Sequence, residues 1–305
     1  MTAAAFDAWS RCELQAVEEC LDLWVPAGAP AGLGEAMRYG VLDGGKRLRP
    51  LLVLAAAHAV NGSRLASLRA ACAVELIHAY SLVHDDMPCM DNDVLRRGKP
   101  TVHVRYGEAQ AMLAGDAMQA LAFEVLTPSA DRPHDAGADQ GMSLSLQARL
   151  CGLLARAAGH AGMAGGQAVD LASVGLPLDE HRLRDMHRRK TGALLRASVL
   201  MGAACGATTL VAWEALQDYG DALGLAFQVI DDVLDVTQNS AVLGKTAGKD
   251  VDANKPTYVS LMGLDGATRH AWALRDQAQS ALARTGLADT GWLAELADKV
   301  VERDS

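Results

Sequence analysis

Apolar residues recur at helical spacing along most of this chain, and this periodicity limits the folds that it can adopt. Segment 3–24 is an example, with acidic residues between its apolar positions, which are Phe6, Trp9, Leu14, Val17, Leu21 and Trp24. Alanine and leucine, which favour helices, dominate the composition. The sequence lacks long runs of alternating β-branched and polar residues, which are typical of half-buried strands. We therefore predict an all-α fold.

The composition argues against several classes of protein. With 28 basic and 37 acidic residues the net charge is −9, which argues against nucleic acid as the general partner. The longest uncharged apolar stretch, Ala197–Trp213, is interrupted by glycine and threonine and is too short to predict a membrane span. Charged residues near the N-terminus argue against a cleavable signal peptide. Six scattered cysteines fit reduced thiols in a cytoplasmic protein.

The segment Leu82–Pro100 separates acidic from basic side chains. It carries four carboxylates followed by three cations: Asp85, Asp86, Asp91 and Asp93, then Arg96, Arg97 and Lys99. Magnesium prefers carboxylate oxygens and is commonly completed by substrate phosphates, which the cations would also attract. Pro88 predicts that the preceding helix ends near Asp86, because proline disfavours helical geometry in the residue before it. The carboxylates then lie at a helix C-terminus, where the helix dipole disfavours negative charge.

This segment has two other interpretations. An ordinary acidic surface loop remains open from the segment alone. A calcium-binding EF-hand loop starting at Asp91 does not fit, because Leu95 and Arg96 occupy positions where that motif needs an acidic or amide residue and a glycine.

A second acidic stretch, Gln228–Asp235, lies within a predicted helix 146 residues further along the chain. Asp231 and Asp235 are four residues apart and share a helix face, with Gln228 one turn before them. Like charges at this spacing destabilise a helix, and no lysine or arginine lies within a turn. A single metal-bound cleft between two helices explains both acidic stretches.

Several other positions carry candidate binding groups. In Gly44–Pro50, two glycines precede Lys46, Arg47 and Arg49, and cations beside a helix N-terminus attract phosphate, although a solvated charge cluster is the alternative. His78 and Ser81 lie within about 40° of the helix face of Asp85, although a lone histidine is commonly a core residue. Lys190 stands where a charged helix turns apolar, a position that also suits a surface lysine. The loop around Lys245 is not a P-loop, because Asn239 replaces the first glycine.

Taken in order, these motifs resemble those of the trans-prenyl diphosphate synthases, and most closely the bacterial farnesyl diphosphate synthases. The resemblance runs from about Tyr39 to Tyr258. It rests on six ordered motifs: Gly44–Pro50, Asp85–Asp91 with Arg96–Pro100, Gly166-Gln167 with Asp170, Lys190–Gly192, Phe227–Asp235, and Leu243-Gly244-Lys245.

The resemblance implies an isoprenoid synthase fold in which residues 1–305 form one polyprenyl synthetase domain. Such a domain has roughly ten to thirteen helices around a deep central cavity. The resemblance also implies a homodimer, while the charge and hydropathy of the chain argue, as above, against a nucleic-acid partner and a membrane span.

The resemblance further implies the roles of individual residues. Asp85, Asp91 and Asp231 would hold three magnesium ions on the diphosphate of the allylic substrate, with Asp86 and Asp235 in support; the contacts of Asp93 and Asp232 stay open. The allylic substrate, dimethylallyl or geranyl diphosphate, would be held by Arg96, Lys190, Thr191, Gln228 and Lys245. Isopentenyl diphosphate would be held by Lys46, Arg49, His78 and Arg97. The residues expected to carry catalysis are Asp85, Asp91, Arg96, Lys190, Asp231 and Lys245.

The implied reaction is head-to-tail condensation of isopentenyl diphosphate with the allylic substrate, releasing pyrophosphate. In such enzymes the residues four and five before the first acidic motif affect product length, and here they are Ser81 and Tyr80. The combination of a small Ser81 with a bulky Tyr80 just before it resembles the pattern in enzymes that stop at the fifteen-carbon product. Helical geometry alone places Tyr80 about 140° from the face of Asp85, so periodicity does not itself make it the cavity floor.

Three alternatives stay open at this stage. The product could have another length, geranyl or geranylgeranyl diphosphate. A terpene cyclase shares the ionisation step but would not need a second diphosphate site at Lys46 and Arg49. A non-catalytic synthase subunit is disfavoured because both acidic motifs are intact.

Overall fold

Helices dominate the described part of this chain, as the sequence predicts. The computed structural model describes residues 2–42, 44–129, 142–176, 178–237 and 257–302. The helices are α1 (Ala3–Trp24), α2 (Leu33–Val41), α3 (Leu48–Ala59), α4 (Arg64–Asp85), α5 (Val102–Tyr106), α6 (Glu108–Leu126), α7 (Leu144–Ala158), α8 (Met163–Ala172), α9 (Glu180–His187), α10 (Ala193–Ala204), α11 (Leu210–Thr237), α12 (Tyr258–Arg284) and α13 (Gly291–Val301).

Three short elements complete the described chain. A 3₁₀ turn, Pro30–Gly32, precedes α2, and β1 (Leu95–Arg96) pairs antiparallel with β2 (Lys99–Pro100) in a small hairpin. The segment Arg188–Gly192, here called the π segment, is π-helical and joins α9 to α10. Such segments are rare and are frequently found at functional sites.

Glycines divide two of the helical segments in the structure. The sequence predicts one helix over Tyr106–Leu126, whereas Gly107, with φ of 89°, separates α5 from α6. The sequence predicts three helices in residues 257–303, and the structure agrees, because a kink at Gly263, with φ of 73°, divides α12 into two helical segments that precede α13. In both places a glycine adopts a backbone conformation that other residues rarely reach.

The hydrophobic core consists of two clusters of buried side chains. The first is built from α1, α2, α4, α6 and α7, and the second from α9 and α11–α13. Helices α3 and α10 contribute several residues to both clusters; Val53 and Leu54 face the first, for example, whereas Leu51 and Leu52 face the second, to which α1 also adds Phe6. The two helices therefore connect the halves of the fold, and the N-terminus of α3 carries the basic stretch.

Helix α4 lies inside this core. In the described chain it is the one helix long and apolar enough to cross a membrane, and 72% of its most apolar window is buried within the fold. Burial of this kind is typical of a core helix. The ordered C-terminal end of α4 places Asp85 at the edge of the core.

Close backbone contacts hold the π segment in place. A Cβ atom added at Gly166 of α8 would lie 2.2 Å from the backbone nitrogen of Lys190. A Cβ atom added at Gly224 of α11 would lie 2.8 Å from the Cα atom of Gly192. Because no side chain fits at either point, glycine lets α8 and α11 pack directly against the π segment.

Candidate active site

The first acidic motif folds back on the end of α4. The helix ends at Asp85, as Pro88 predicts, and the backbone N–H of Asp91 donates to the carbonyl oxygen of Asp85 at 2.9 Å. Burial raises the pKa of Asp85 to about 6; the charges of Lys190 and Arg96 oppose this shift, and Asp91 adds to it. Asp85 and Asp91 are therefore close enough to repel one another, and a bound cation would relieve that repulsion.

Asp86, the residue after Asp85, binds Arg96. The carboxylate is buried at 2% exposure and accepts hydrogen bonds from Nε and Nη2 of Arg96 at 2.6 to 3.0 Å. Such a forked contact fixes the plane of the guanidinium group. Asp86 therefore sets the position of Arg96, in addition to any support that it gives to a metal.

The two basic stretches meet at the Gly44-Gly45 turn. The guanidinium group of Arg97 donates to the carbonyl oxygen of Gly44 and lies against Gly45. Burial, reinforced by the charges of Arg49 and Arg97, holds the pKa of His78 well below its usual range, so this imidazole is neutral and close to both arginines. The structure thus brings together three of the four residues predicted to bind isopentenyl diphosphate.

The remaining basic residues of this region differ in exposure. Lys46 is exposed, whereas Arg49 is buried and its guanidinium lies 6.0 Å from the ring centroid of Phe227 on α11. Phe227 directly precedes Gln228 in the second acidic stretch. The basic region and the second acidic stretch are therefore neighbours.

The π segment contacts the second acidic stretch through a chain of hydrogen bonds. The hydroxyl of Thr191 donates to Oε1 of Gln228 at 2.9 Å, and Nε2 of Gln228 donates to Oδ1 of Asp232 at 2.9 Å. Oδ2 of Asp232 accepts from the backbone N–H of Tyr258 at 2.8 Å, where α12 begins. Asp232 is 3% exposed and is held by protein donors on both oxygens, while Asp231 is half-buried and Asp235 is buried.

Lys190, in the same π segment, lies between α8 and the first acidic motif. Its ammonium group donates to Oδ2 of the buried Asp170, and its charge lowers the pKa of Asp85. Adjacent residues of one segment thus interact with the first acidic motif and with the helix turn that carries the second. Lys245, the remaining predicted substrate-binding residue, lies outside the described residues.

Tyr80 and Ser81, the residues expected to affect product length, lie near the base of the first motif. Tyr80 is half-buried against the core; burial, with the charge of Asp85, raises the pKa of its phenol. Its ring packs edge-on against His84 at 5.7 Å between centroids. The hydroxyl of Ser81 donates to the carbonyl oxygen of His78, one turn earlier.

The carboxylates of the first acidic motif fit a magnesium ion whose other ligands would come from water and substrate phosphate. Within the described ranges, no three histidine, cysteine or acidic side chains lie close enough together to bind a metal unaided. Magnesium usually retains waters and takes one or two carboxylates together with substrate phosphates. The pair Asp85 and Asp91 supplies such a set, because its two carboxylates are close, partly buried and raised in energy by their mutual repulsion.

Sequence reasoning noted Asp170 and Asp232 but assigned neither a role in the site. Asp170 is the partner of Lys190, and Asp232 is the partner of Gln228. The i, i+4 spacing of Gln228 and Asp232 is a signal for their contact, since residues four apart on a helix are neighbours. No local signal pairs Asp170 with Lys190, because that contact depends on how α8 packs against the π segment.

Comparison with known proteins places the chain in a family. Residues 30–286 match the polyprenyl synthetase family. The chain is 48% identical over 275 residues to the farnesyl diphosphate synthase of Escherichia coli (strain K12), which covers 88% of this chain and 89% of that protein. It is 46% identical over 269 residues to the heterodimeric geranylgeranyl pyrophosphate synthase large subunit 1, chloroplastic, of Arabidopsis thaliana, covering 87% and 71%.

A solved structure agrees with these matches. The geranyltransferase of Helicobacter pylori, crystallised with magnesium and isoprenyl diphosphate, superposes with a TM-score of 0.82 at 32% identity, over 99% of this chain and 98% of that one. The fold predicted from the sequence, an all-α isoprenoid synthase fold, is confirmed. The chain therefore belongs to the polyprenyl synthetase family and is a trans-prenyl diphosphate synthase.

Proposed function

We propose that this prenyltransferase is a farnesyl diphosphate synthase, which condenses isopentenyl diphosphate with dimethylallyl and then geranyl diphosphate. The observation that carries the proposal is the π segment, because Lys190 interacts with Asp85 while Thr191 bonds to Gln228. This arrangement supports one site that draws on both acidic stretches.

At the allylic end of the site, the carboxylates of Asp85, Asp91 and Asp231 hold the metal, with Asp86 and Asp235 in support. When bound, magnesium neutralises the diphosphate and so helps it to leave as pyrophosphate. The family is magnesium-dependent, and three ions per site is our proposal. Arg96, oriented by Asp86, and Lys190, oriented by Asp170, add positive charge where the leaving group develops negative charge.

The polar contacts between the π segment and α11 support a second set of ligands for the allylic diphosphate. Thr191 and Gln228 are already bonded to each other, so both side chains are preorganised. Lys245 completes this set in our proposal.

At the other end, Lys46, Arg49, His78 and Arg97 hold the diphosphate of isopentenyl diphosphate. The neutral imidazole of His78 beside two guanidinium groups fits this role, because it can donate one N–H without adding another buried charge. With the diphosphate fixed there, the double bond of isopentenyl diphosphate attacks the allylic carbon. A carbon–carbon bond forms as the allylic carbon–oxygen bond breaks and pyrophosphate leaves, and a proton is then lost to the released pyrophosphate. Apolar helices around the hydrocarbon chains keep water from the carbocation.

A fifteen-carbon product is supported by Tyr80, whose half-buried ring lies within the electrostatic reach of Asp85. We expect Tyr80→Ala to lengthen the product, because it removes a bulky side chain from the base of the site. Product chromatography with isopentenyl and dimethylallyl diphosphates and magnesium measures this. Ser81→Ala is the matched control: it keeps a small residue at the other position expected to affect product length, so we expect it to keep the wild-type product. If Tyr80→Ala leaves the product distribution unchanged, Tyr80 has no part in setting chain length.

Geranylgeranyl diphosphate is the second candidate product, and a specific observation favours it. The chain is nearly as similar to the Arabidopsis thaliana geranylgeranyl pyrophosphate synthase subunit as to the Escherichia coli farnesyl diphosphate synthase. A twenty-carbon product from the wild-type protein would select this candidate; a ten-carbon product would select the geranyl enzyme.

The same assay distinguishes two less similar functions. Hydrocarbon release without isopentenyl diphosphate would identify a terpene cyclase. Inactivity that a partner restores would identify a non-catalytic subunit.

The assembly and location of the enzyme belong to the same proposal. We propose a homodimer in the cytoplasm, for which sedimentation equilibrium should give about twice the 32.1 kDa mass of the chain.

A further inference from the structure

The basic stretch Gly44–Pro50 has two buried cations, Arg47 and Arg49, and Arg47 is the more deeply buried of the two. Arg47 is 4% exposed, whereas the preceding Lys46 is exposed. Its backbone adopts a φ of 43°, a left-handed conformation that is uncommon for a residue with a side chain. A residue keeps such a conformation only where surrounding contacts enforce it.

Those contacts come from three helices. Nε of Arg47 donates to Oε1 of Glu18 on α1 at 2.7 Å, and Nη1 donates to Oε1 of Glu75 on α4 at 2.7 Å. Nη2 donates to the carbonyl oxygen of Val41, the last residue of α2, at 2.5 Å. Each nitrogen of the guanidinium group thus has its own acceptor, and the three acceptors belong to three different elements.

This arrangement needs arginine specifically. The planar guanidinium group directs its donors to three separate acceptors. A lysine would place a single ammonium group on a flexible stem and could not reach all three acceptors at once. Glu75 is itself buried at 2% exposure, so removing the guanidinium group would leave an uncompensated buried carboxylate. The position and orientation of Arg47 are therefore set by its partners.

The turn that Arg47 holds carries residues assigned to isopentenyl diphosphate. Lys46 precedes it, Arg49 follows it by two residues, and Gly44 accepts from Arg97 on the other side of the turn. A shift of Arg47 would move these groups together. It would leave Asp85, Lys190 and Gln228 in place, because those residues are held by separate contacts.

We propose that Arg47 is a positioning residue of the isopentenyl diphosphate subsite, held by Glu18 and Glu75 and itself out of contact with substrate. The inference rests on the proposed function, since that function assigns Lys46 and Arg49 to this substrate. It also gives α1 a role in the site, because Glu18 reaches Arg47 from the N-terminal helix.

The test compares Michaelis constants for the two substrates. In Arg47→Lys we expect the KM for isopentenyl diphosphate to rise about tenfold, as expected from the loss of a charge-assisted hydrogen bond, while the KM for geranyl diphosphate changes by less than about twofold. Glu18→Gln, a milder change at the half-exposed partner, should raise the KM for isopentenyl diphosphate by about threefold.

Arg69→Lys is the matched control. Arg69 is 1% exposed, lies over the ring of Trp24 on α1 and donates to the carbonyl oxygen of Val125 on α6, and these partners differ from those of Arg47. We expect this variant to lose thermal stability and to keep the ratio of the two KM values. A general structural effect would change both KM values of Arg47→Lys equally, and that result would overturn the inference.

A further pair of variants protects the test against misfolding and against an error in the proposed function. The double variant Arg47→Met with Glu75→Leu removes both buried charges, and we expect it to regain stability while the KM for isopentenyl diphosphate stays raised.

Lys46→Ala tests the subsite itself. If Lys46→Ala leaves that KM unchanged, the assignment of the subsite is wrong; if it raises the KM and Arg47→Lys does not, only the role of Arg47 is wrong.

Discussion

Gln228 shows how a single side chain is oriented in this site. A carboxylate can only accept hydrogen bonds, so Asp232 requires the amide nitrogen of Gln228 to face it, and the amide oxygen then faces the hydroxyl of Thr191. The sequence placed Thr191 and Gln228 in the allylic site through the family resemblance. The sequence left the contacts of Asp232 open. In the structure this carboxylate accepts hydrogen bonds from Gln228 and from the backbone at the N-terminus of α12.

We expect Asp232→Asn to raise the KM for the allylic substrate by about three- to tenfold. The asparagine side chain can donate an N–H group to the amide oxygen of Gln228. The amide of Gln228 can then rotate by 180°, which exchanges the positions of its oxygen and its NH₂ group in the site. Steady-state kinetics at saturating isopentenyl diphosphate measures the change. Asp298→Asn is the control, because Asp298 accepts from Gln279 in a similar pair between α12 and α13. Equal effects of the two substitutions would remove Asp232 from the site.

At the scale of an element, the π segment determines the arrangement of the site. The sequence predicts a continuous helix from Asp179 to about Cys205, charged in its first half and apolar in its second. The structure keeps that course but widens the helix at Arg188–Gly192, where Lys190 and Thr191 leave the ordinary helical register. The widening could not be predicted from spacing, since it depends on the close packing of Gly166 and Gly224 from other helices.

Gly166→Ala tests this packing. Because the added Cβ atom would lie 2.2 Å from the backbone of Lys190, α8 must move away from the π segment and the bond between Asp170 and Lys190 is weakened. We expect a loss of about 1–3 kcal/mol in the free energy of unfolding, together with a lower kcat. Gly28→Ala, where no atom lies within 4 Å of the added Cβ, should change neither quantity. Wild-type stability and kcat in Gly166→Ala would show that the close contact is unimportant.

His187, the residue before the π segment, predicts a pH dependence of stability. Burial lowers its pKa from 6.5 to about 4; Asp170 opposes this shift and Lys190 adds to it. Between these values the unfolded chain binds a proton that the folded chain does not, so stability is lost as the pH falls from about 6.5 towards 4.

We expect His187→Phe to reduce the loss of unfolding free energy between pH 7 and pH 5 by about 2 kcal/mol, because phenylalanine does not titrate. Urea denaturation at the two pH values gives the difference. Tyr258→Phe changes the aromatic neighbour of His187 without removing a titration in this range, so its pH dependence should match the wild type. Identical slopes for His187→Phe and the wild type would contradict a neutral buried imidazole.

At the scale of the whole molecule, the sequence predicted the helices and the positions of the charged motifs better than it predicted the partners of individual side chains. The helix ranges follow from periodicity, and α1 begins and ends at the predicted residues 3 and 24. The acidic motifs could be recognised because their carboxylates lie where they destabilise a helix, at the C-terminus of α4 and four residues apart in α11. The pairings of Asp170 with Lys190 and of Glu75 with Arg47 join residues 20 and 28 positions apart, and they depend on helix packing that no local pattern records.

The central claim is that two acidic stretches, distant in sequence, hold one magnesium-bound diphosphate. Calorimetric binding of inorganic pyrophosphate in the presence of magnesium tests it most directly, in Asp85→Asn, Asp231→Asn and the double variant. We predict that each single substitution weakens binding at least about tenfold and that the double variant is little worse than either, because both carboxylates act on one ion cluster. Losses that simply multiply in the double variant, or full affinity in Asp231→Asn, would contradict a shared site.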